Sequence, residues 1–129
     1  TIEPATDGCV HGAVYHLTAD DEQRLDVIEG VGGGYDVEYV TLAGHGRVRT
    51  YVANAAARCP GLPVFDWYLG LVLAGARHLG LPSPYLARLA ALPCVADPDP
   101  GRAALHAALL ATCARHPPFE AISRTHDCA

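Results

Sequence analysis

In the stretch LDVIEGVGGGY, Leu25 to Tyr35, the carboxylate of Glu29 is followed by glycine at four of the next five positions. A carboxyl group partly withdrawn from water has its pKa raised toward a range useful for taking and returning a proton. Gly30 and the glycines after it would leave its surroundings bare, so that a substrate can approach. The plainer reading of Glu29 is a solvated glutamate before a surface turn. Three tyrosines, Tyr35, Tyr51 and Tyr68, carry hydroxyls that can bind a polar substrate or simply edge a core with their phenols satisfied.

Other chemistries find less support. Ser83 and Ser123 are the only serines and neither lies in a G-x-S-x-G elbow. Cys9, Cys59, Cys94, Cys113 and Cys128 are scattered, with no C-x-x-C pair to suggest structural zinc, and are expected to be small, reduced apolar fillers. The seven histidines show no H-x-H or H-E-x-x-H spacing, so no metal and no cofactor is expected. The glycine run follows a helix rather than a strand and lacks a following Lys-Ser/Thr, which rules out both nucleotide-loop fingerprints.

Composition narrows the class further. With 129 residues, half of them hydrophobic, the chain is long enough for one domain with an ordinary packed core. A net charge of −5 without a basic cluster argues against a nucleic-acid partner. No apolar run is long enough to span a membrane and no signal peptide opens the chain, so a cytoplasmic protein is expected. All nine basic residues are arginine, a bias that suggests a GC-rich bacterial genome. Because the chain starts at Thr1, a segment upstream is expected to be missing.

These residues need elements to position them. Cys9 to Leu17 is dense in β-branched and aromatic residues and reads as a strand. Thr18 with Asp21 three residues on reads as a capping box; it opens a short helix whose inward face would be Leu25 and Ile28 and whose end is Gly30. Alternation in Tyr35–Leu42, with Tyr35, Val37 and Tyr39 on one side, and in Val48–Asn54 across a glycine-rich turn, predicts an antiparallel hairpin. Pro63 precedes a long helix over about 64–79 with a stripe of Leu69, Val72, Leu73, Ala76 and Leu79, stopped by Gly80 and Pro82. Residues 83–92 form a shorter helix and ADPDPG a rigid linker. Residues 102–116 make a last amphipathic helix, and the tail after them has no clear periodicity. The order predicts a small α+β, or mixed α/β, domain whose sheet needs another strand.

The series VHGAVYHL, LDVIEGVGGGY, VRTYVAN, PVFDWYLGLVLAGARHLGLP and YLARLAAL resembles the γ-glutamylcyclotransferase family in order and spacing, over about residues 10–92. Its most specific pieces are Leu-Asp, two residues, then Glu-Gly at a set distance after V-x-G-x-V-Y, and a tyrosine twelve residues before Gly-Leu-Pro. The resemblance implies a small mixed β-barrel flanked by helices, in a single domain of residues 1–129 in which residues 93–129 have no assigned role. It implies an enzyme that converts γ-glutamyl amines or peptides into 5-oxoproline and a free amine. Glu29 would then be the general acid/base, and Tyr68, Tyr51, Tyr35 and Gly30 would line the substrate's place. The partner would be a small γ-glutamyl substrate, with a homodimer left open, and removal of a γ-glutamyl protecting group in natural-product synthesis is one role. The family's Tyr-Gly-Ser-Asn loop, at the end of its first strand, has no counterpart in these residues. A non-catalytic binding module that retains the fold is the alternative.

Overall fold

A computed structural model describes residues 8–59, 61–113 and 123–125. They form four helices and six short strands, a mixed α+β architecture in which the strands pair two by two. The chain divides into two compact units, one built mainly from residues 14–59 and the other from residues 61–113 together with 11–13.

The first unit is a helix followed by a hairpin. Helix α1, Ala19–Glu29, starts as its sequence demands: the Thr18 hydroxyl accepts from the Asp21 amide while the Asp21 carboxylate accepts from the Thr18 backbone N–H and hydroxyl. It ends on Gly30 at φ +65°, a left-handed residue whose amide and that of Val31 return to carbonyls inside the last turn. Strand β2, Tyr35–Leu42, pairs antiparallel with β3, Gly46–Ala53, in a register that sets Tyr35 opposite Ala53, Val37 opposite Tyr51 and Tyr39 opposite Arg49. Paired residues share a face, but the predicted alternation of burial holds only over residues 35–38: Tyr39 is 51% exposed, and β3 grows steadily more buried toward Ala53 instead of alternating.

Helix α1 sits in an orientation that the apolar pattern did not predict. Leu25, Asp26 and Glu29 are half-buried, while Val27 and Ile28 are 81% and 75% exposed. Ile28 is therefore not an inward residue. Leaving two such side chains in water forgoes roughly 1.5–3 kcal/mol each. The inward side of the helix instead carries Leu25 and Asp26, and Asp26 forms an ion pair with Arg49 of β3.

In the second unit, α2 (Asp66–His78) buries Leu69 and Ala76, with Val72, Leu73 and Leu79 half-buried along the same stripe. Gly80, at φ +62°, terminates it; the Leu81 amide reaches back to the Ala76 carbonyl, and both of these residues are buried. Residues 64 and 65, expected as the start of that helix, are the two-residue strand β4, Val64–Phe65, paired parallel with β5, Cys94–Val95. Helix α3 spans Ser83–Ala90 and α4 spans Pro100–Cys113. The expected ADPDPG linker is a capping device, since Asp99 Oδ1 accepts the Gly101 and Arg102 amides at 2.9 and 3.0 Å.

The predicted strand at residues 9–17 is the shorter β1, Gly12–Val14, which pairs with β6, Ser123–Thr125, in the tail that showed no periodicity. Burial is thinner than the composition suggested. Among the described residues the buried apolar set is Val52 and Ala53 in the first unit and Leu69, Ala76 and Leu81 in the second. The cysteines do not fill a core: Cys59, Cys94 and Cys113 are free and exposed, and Cys9 is disulfide-bonded. Cys128 lies outside the described residues. No helix among them is long and apolar enough to cross a membrane.

Candidate functional site

The glycine run is held by few contacts. The Gly30 carbonyl accepts the amides of Gly33 and Gly34 at 2.9 Å, and the Tyr35 carbonyl accepts the Gly32 amide at 3.0 Å. Asn54 fastens this loop to the end of β3: its backbone N–H donates to the Gly34 carbonyl at 3.1 Å and its side chain to the Gly33 carbonyl at 3.3 Å. A short loop thus carries the chain from the end of α1 straight into β2. A Cβ added at Gly30 or Gly32 would meet nothing within 4 Å, and both residues have positive φ. The surroundings of Glu29 are open on that side.

Glu29 is the last residue of α1 and Gly30 its cap, while Tyr35 is the first residue of β2. The loop therefore brings these three residues together, with Glu29 and Tyr35 both half-buried. Tyr51 lies on β3 on the hairpin face that also carries Tyr35. Tyr68 belongs to the other unit, on the first turn of α2, where it is 52% exposed and meets the Trp67 ring edge-on.

Tyr51 is joined to α1 by two residues to which the sequence alone assigned no role: Asp26, the aspartate of the Leu-Asp…Glu-Gly motif, and Arg49. Its hydroxyl donates to Asp26 Oδ1 at 2.7 Å and accepts from Arg49 Nη1 at 2.6 Å, while Arg49 Nη2 donates to the same Asp26 oxygen at 2.5 Å. The Arg49 hydrogen bond first, and that of Tyr51 next, hold the Asp26 carboxyl below its usual range. Arg49 is held more firmly protonated by Asp26. Tyr51 is pushed up, by burial before its hydrogen bond to the carboxylate, so it stays a phenol. The signal for this network was present but faint. Asp26 stands one helical turn before Glu29, so both project from one side of α1, and Arg49 stands two residues before Tyr51, on the same face of its strand.

A shallow groove of about 520 Å³ runs along the other side of α1, lined by Asp20, Gln23, Arg24, Val27 and Ile28. It contains neither Glu29 nor any of the tyrosines. In the second unit a separate cluster joins α2 to the start of α4. Asp97 accepts from Trp67 Nε1 at 2.7 Å and from two nitrogens of Arg102 at 2.6 and 2.7 Å, and His106 stacks on the Trp67 indole at 3.7 Å between centroids. Its carboxylate is saturated by these partners, which makes it a clasp rather than a reacting group.

No curated protein and no solved structure matches the chain significantly. A family model does match, over residues 9–89, and the span includes α1, the glycine loop, the hairpin and α2. With that match on the segment that carries Asp26, Glu29 and Tyr51, the chain belongs to the AIG2-like family, part of the γ-glutamylcyclotransferase-like superfamily.

Proposed function

We propose that this protein is a γ-glutamylcyclotransferase, releasing 5-oxoproline and a free amine from a γ-glutamyl amine or peptide. The observation that carries the reading is the orientation of α1. It turns Asp26 and Glu29 inward while Val27 and Ile28 face water, an arrangement that burial of apolar surface alone would reverse. Family membership supports the reading, since many relatives have this activity. The family's small mixed barrel flanked by helices is part of the same proposal.

The chemistry asks little of the protein beyond posture and a proton carrier. The substrate's own α-amino nitrogen attacks its γ-carbonyl carbon, closing a five-membered ring. The bond from that carbon to the leaving nitrogen then breaks. Tethering the nucleophile replaces a bimolecular encounter, a gain that can reach several kcal/mol. The α-nitrogen loses two protons in all, one before it attacks and one as the ring amide forms, and the leaving nitrogen gains two and departs as an ammonium, so a single carboxylate can relay each in turn. Glu29 is assigned that role. Tyr35 and Gly30 border its approach, and Tyr51 is a substrate contact. Tyr68 enters on the family resemblance alone; Tyr68→Phe is expected to raise KM more than it lowers kcat, as steady-state kinetics would show.

Incubation of the protein with several γ-glutamyl amines, with 5-oxoproline as the readout, tests the proposal. Glu29→Gln is expected to keep the fold and to lower turnover about a hundredfold or more, the scale of losing a general acid/base. A glutamine variant that cyclises substrate at nearly the wild-type rate would remove Glu29 from the mechanism. Failure of the wild-type protein on every γ-glutamyl amine would leave the other reading, a binding module that retains the fold without its chemistry.

A further inference from the structure

The Tyr51 hydroxyl has one proton and two lone pairs to offer. Its proton is directed to Asp26 Oδ1 and one lone pair is taken by Arg49 Nη1. One lone pair remains. The reverse arrangement, with the proton on the carboxylate, is disfavoured because Asp26 also accepts from Arg49 and is held ionised. A hydroxyl in this state has nothing left to donate to a carboxylate, but it can accept an N–H.

Asp26 and Glu29 lie one turn apart on α1, about 4.5 Å along its axis. The carboxylate that fixes the Tyr51 oxygen and the proton carrier therefore project from the same side of one helix. Around them the formal charges of Asp26, Arg49 and Glu29 leave one negative charge, which favours a cation. The γ-glutamyl group has one cationic end, its α-ammonium.

Resting on the cyclotransferase reading, we propose that Tyr51 is the acceptor for the substrate's α-amino nitrogen, with Asp26 and Arg49 as positioning residues that aim its free lone pair. An ammonium and a neutral amine both present N–H bonds. The contact thus persists while Glu29 removes a proton, and it holds the nitrogen in line with the γ-carbonyl. The specificity that follows is for the amine end of the glutamyl group, with the α-carboxylate recognised elsewhere.

Three ligands separate the groups: γ-glutamyl butylamide, its glutaryl analogue without the amine, and its 4-aminobutyryl analogue without the carboxylate. Binding to the full chain is measured by calorimetry, with Glu29→Gln as the background so that ligands persist. Adding Tyr51→Phe is expected to weaken both amine-bearing ligands roughly tenfold, the scale of one hydrogen bond to a charged group, and to leave the glutaryl ligand unchanged. Adding Asp26→Asn instead is expected to give the same pattern, because an amide N–H can take the phenol's lone pair and turn its proton outward. Loss confined to the glutaryl ligand, or equal loss for all three, overturns the inference. If the Glu29→Gln protein binds none of the three and the wild type releases no 5-oxoproline, the cyclotransferase reading itself has failed and this inference goes with it. Normal 5-oxoproline release with an unchanged ligand pattern in Tyr51→Phe sinks this inference alone.

Discussion

At the scale of single residues, the candidate site depends on one backbone angle as much as on its side chains. Gly30 ends α1 at φ +65° and its carbonyl gathers the amides of Gly33 and Gly34. An alanine Cβ there would touch nothing within 4 Å, so the objection to it is conformational and not steric. Gly30→Ala is expected to lower stability by about 1–2 kcal/mol, the cost of holding an L-residue in the left-handed region. Urea unfolding checks this, and an unchanged midpoint would mean that the loop relaxes out of that conformation. Glu29 and its glycines were legible in the sequence because the signal is local: a helix stop is written in adjacent residues. The bonding of Asp26 was not, although the motif contains the residue, since its partners Arg49 and Tyr51 lie 23 and 25 residues away and only the hairpin register brings them to it. A carboxylate with no near partner in sequence looks like a solvated one.

At the scale of elements, the hairpin and the helix ends were readable for the same local reason, whereas the orientation of α1 was not. Alternation marked the faces of β2 over residues 35–38, and the Thr18–Asp21 box marked where α1 begins. The strands β4 and β5 are two residues each, too short for any period to show, and β1 pairs with a strand far along the chain. Helix α2 offers a test of how closely α2 and α4 pack. A Cβ at Gly75 would meet nothing, whereas one at Gly70 would come within 3.2 Å of Leu110 Cδ2 on α4. Gly75→Ala is expected to stabilise by roughly 0.5–1 kcal/mol through helix propensity and lower unfolded-state entropy. Gly70→Ala brings the same propensity gain but must push the end of Leu110 aside, so its benefit should be smaller or absent. Thermal melts of the two variants side by side decide the point; equal gains would show that Leu110 yields freely.

At the scale of the whole molecule, apolar burial among the described residues is thin, and among them each unit holds an ionic tie. Asp26 in the first and Asp97 in the second are both held below the usual carboxylate range, in each case chiefly by hydrogen bonds from an arginine. The Asp97 side chain is fully shielded from water, and each of its oxygens accepts two hydrogen bonds, from Arg102, Trp67 and the Asp99 amide. In the unfolded chain an aspartate titrates near pH 3.9. Because the folded values lie lower, the unfolded chain binds more protons between the two, and stability must rise with pH across that interval. The contribution is therefore complete above about pH 5 and is lost as the pH falls below about 4 toward the folded values. Trp67 is the only tryptophan in the chain, so its fluorescence follows the second unit. The urea midpoint seen by Trp67 is expected to be level from pH 7 to 5 and to fall below pH 4. Asp97→Asn can still accept from Trp67 but no longer pairs with Arg102; it should start lower at pH 7 and change less with acid. A slope as steep in the variant as in the native chain would mean that acid dismantles this unit at some other carboxylate, and the clasp between α2 and α4 would lose its standing as the pH-sensitive tie.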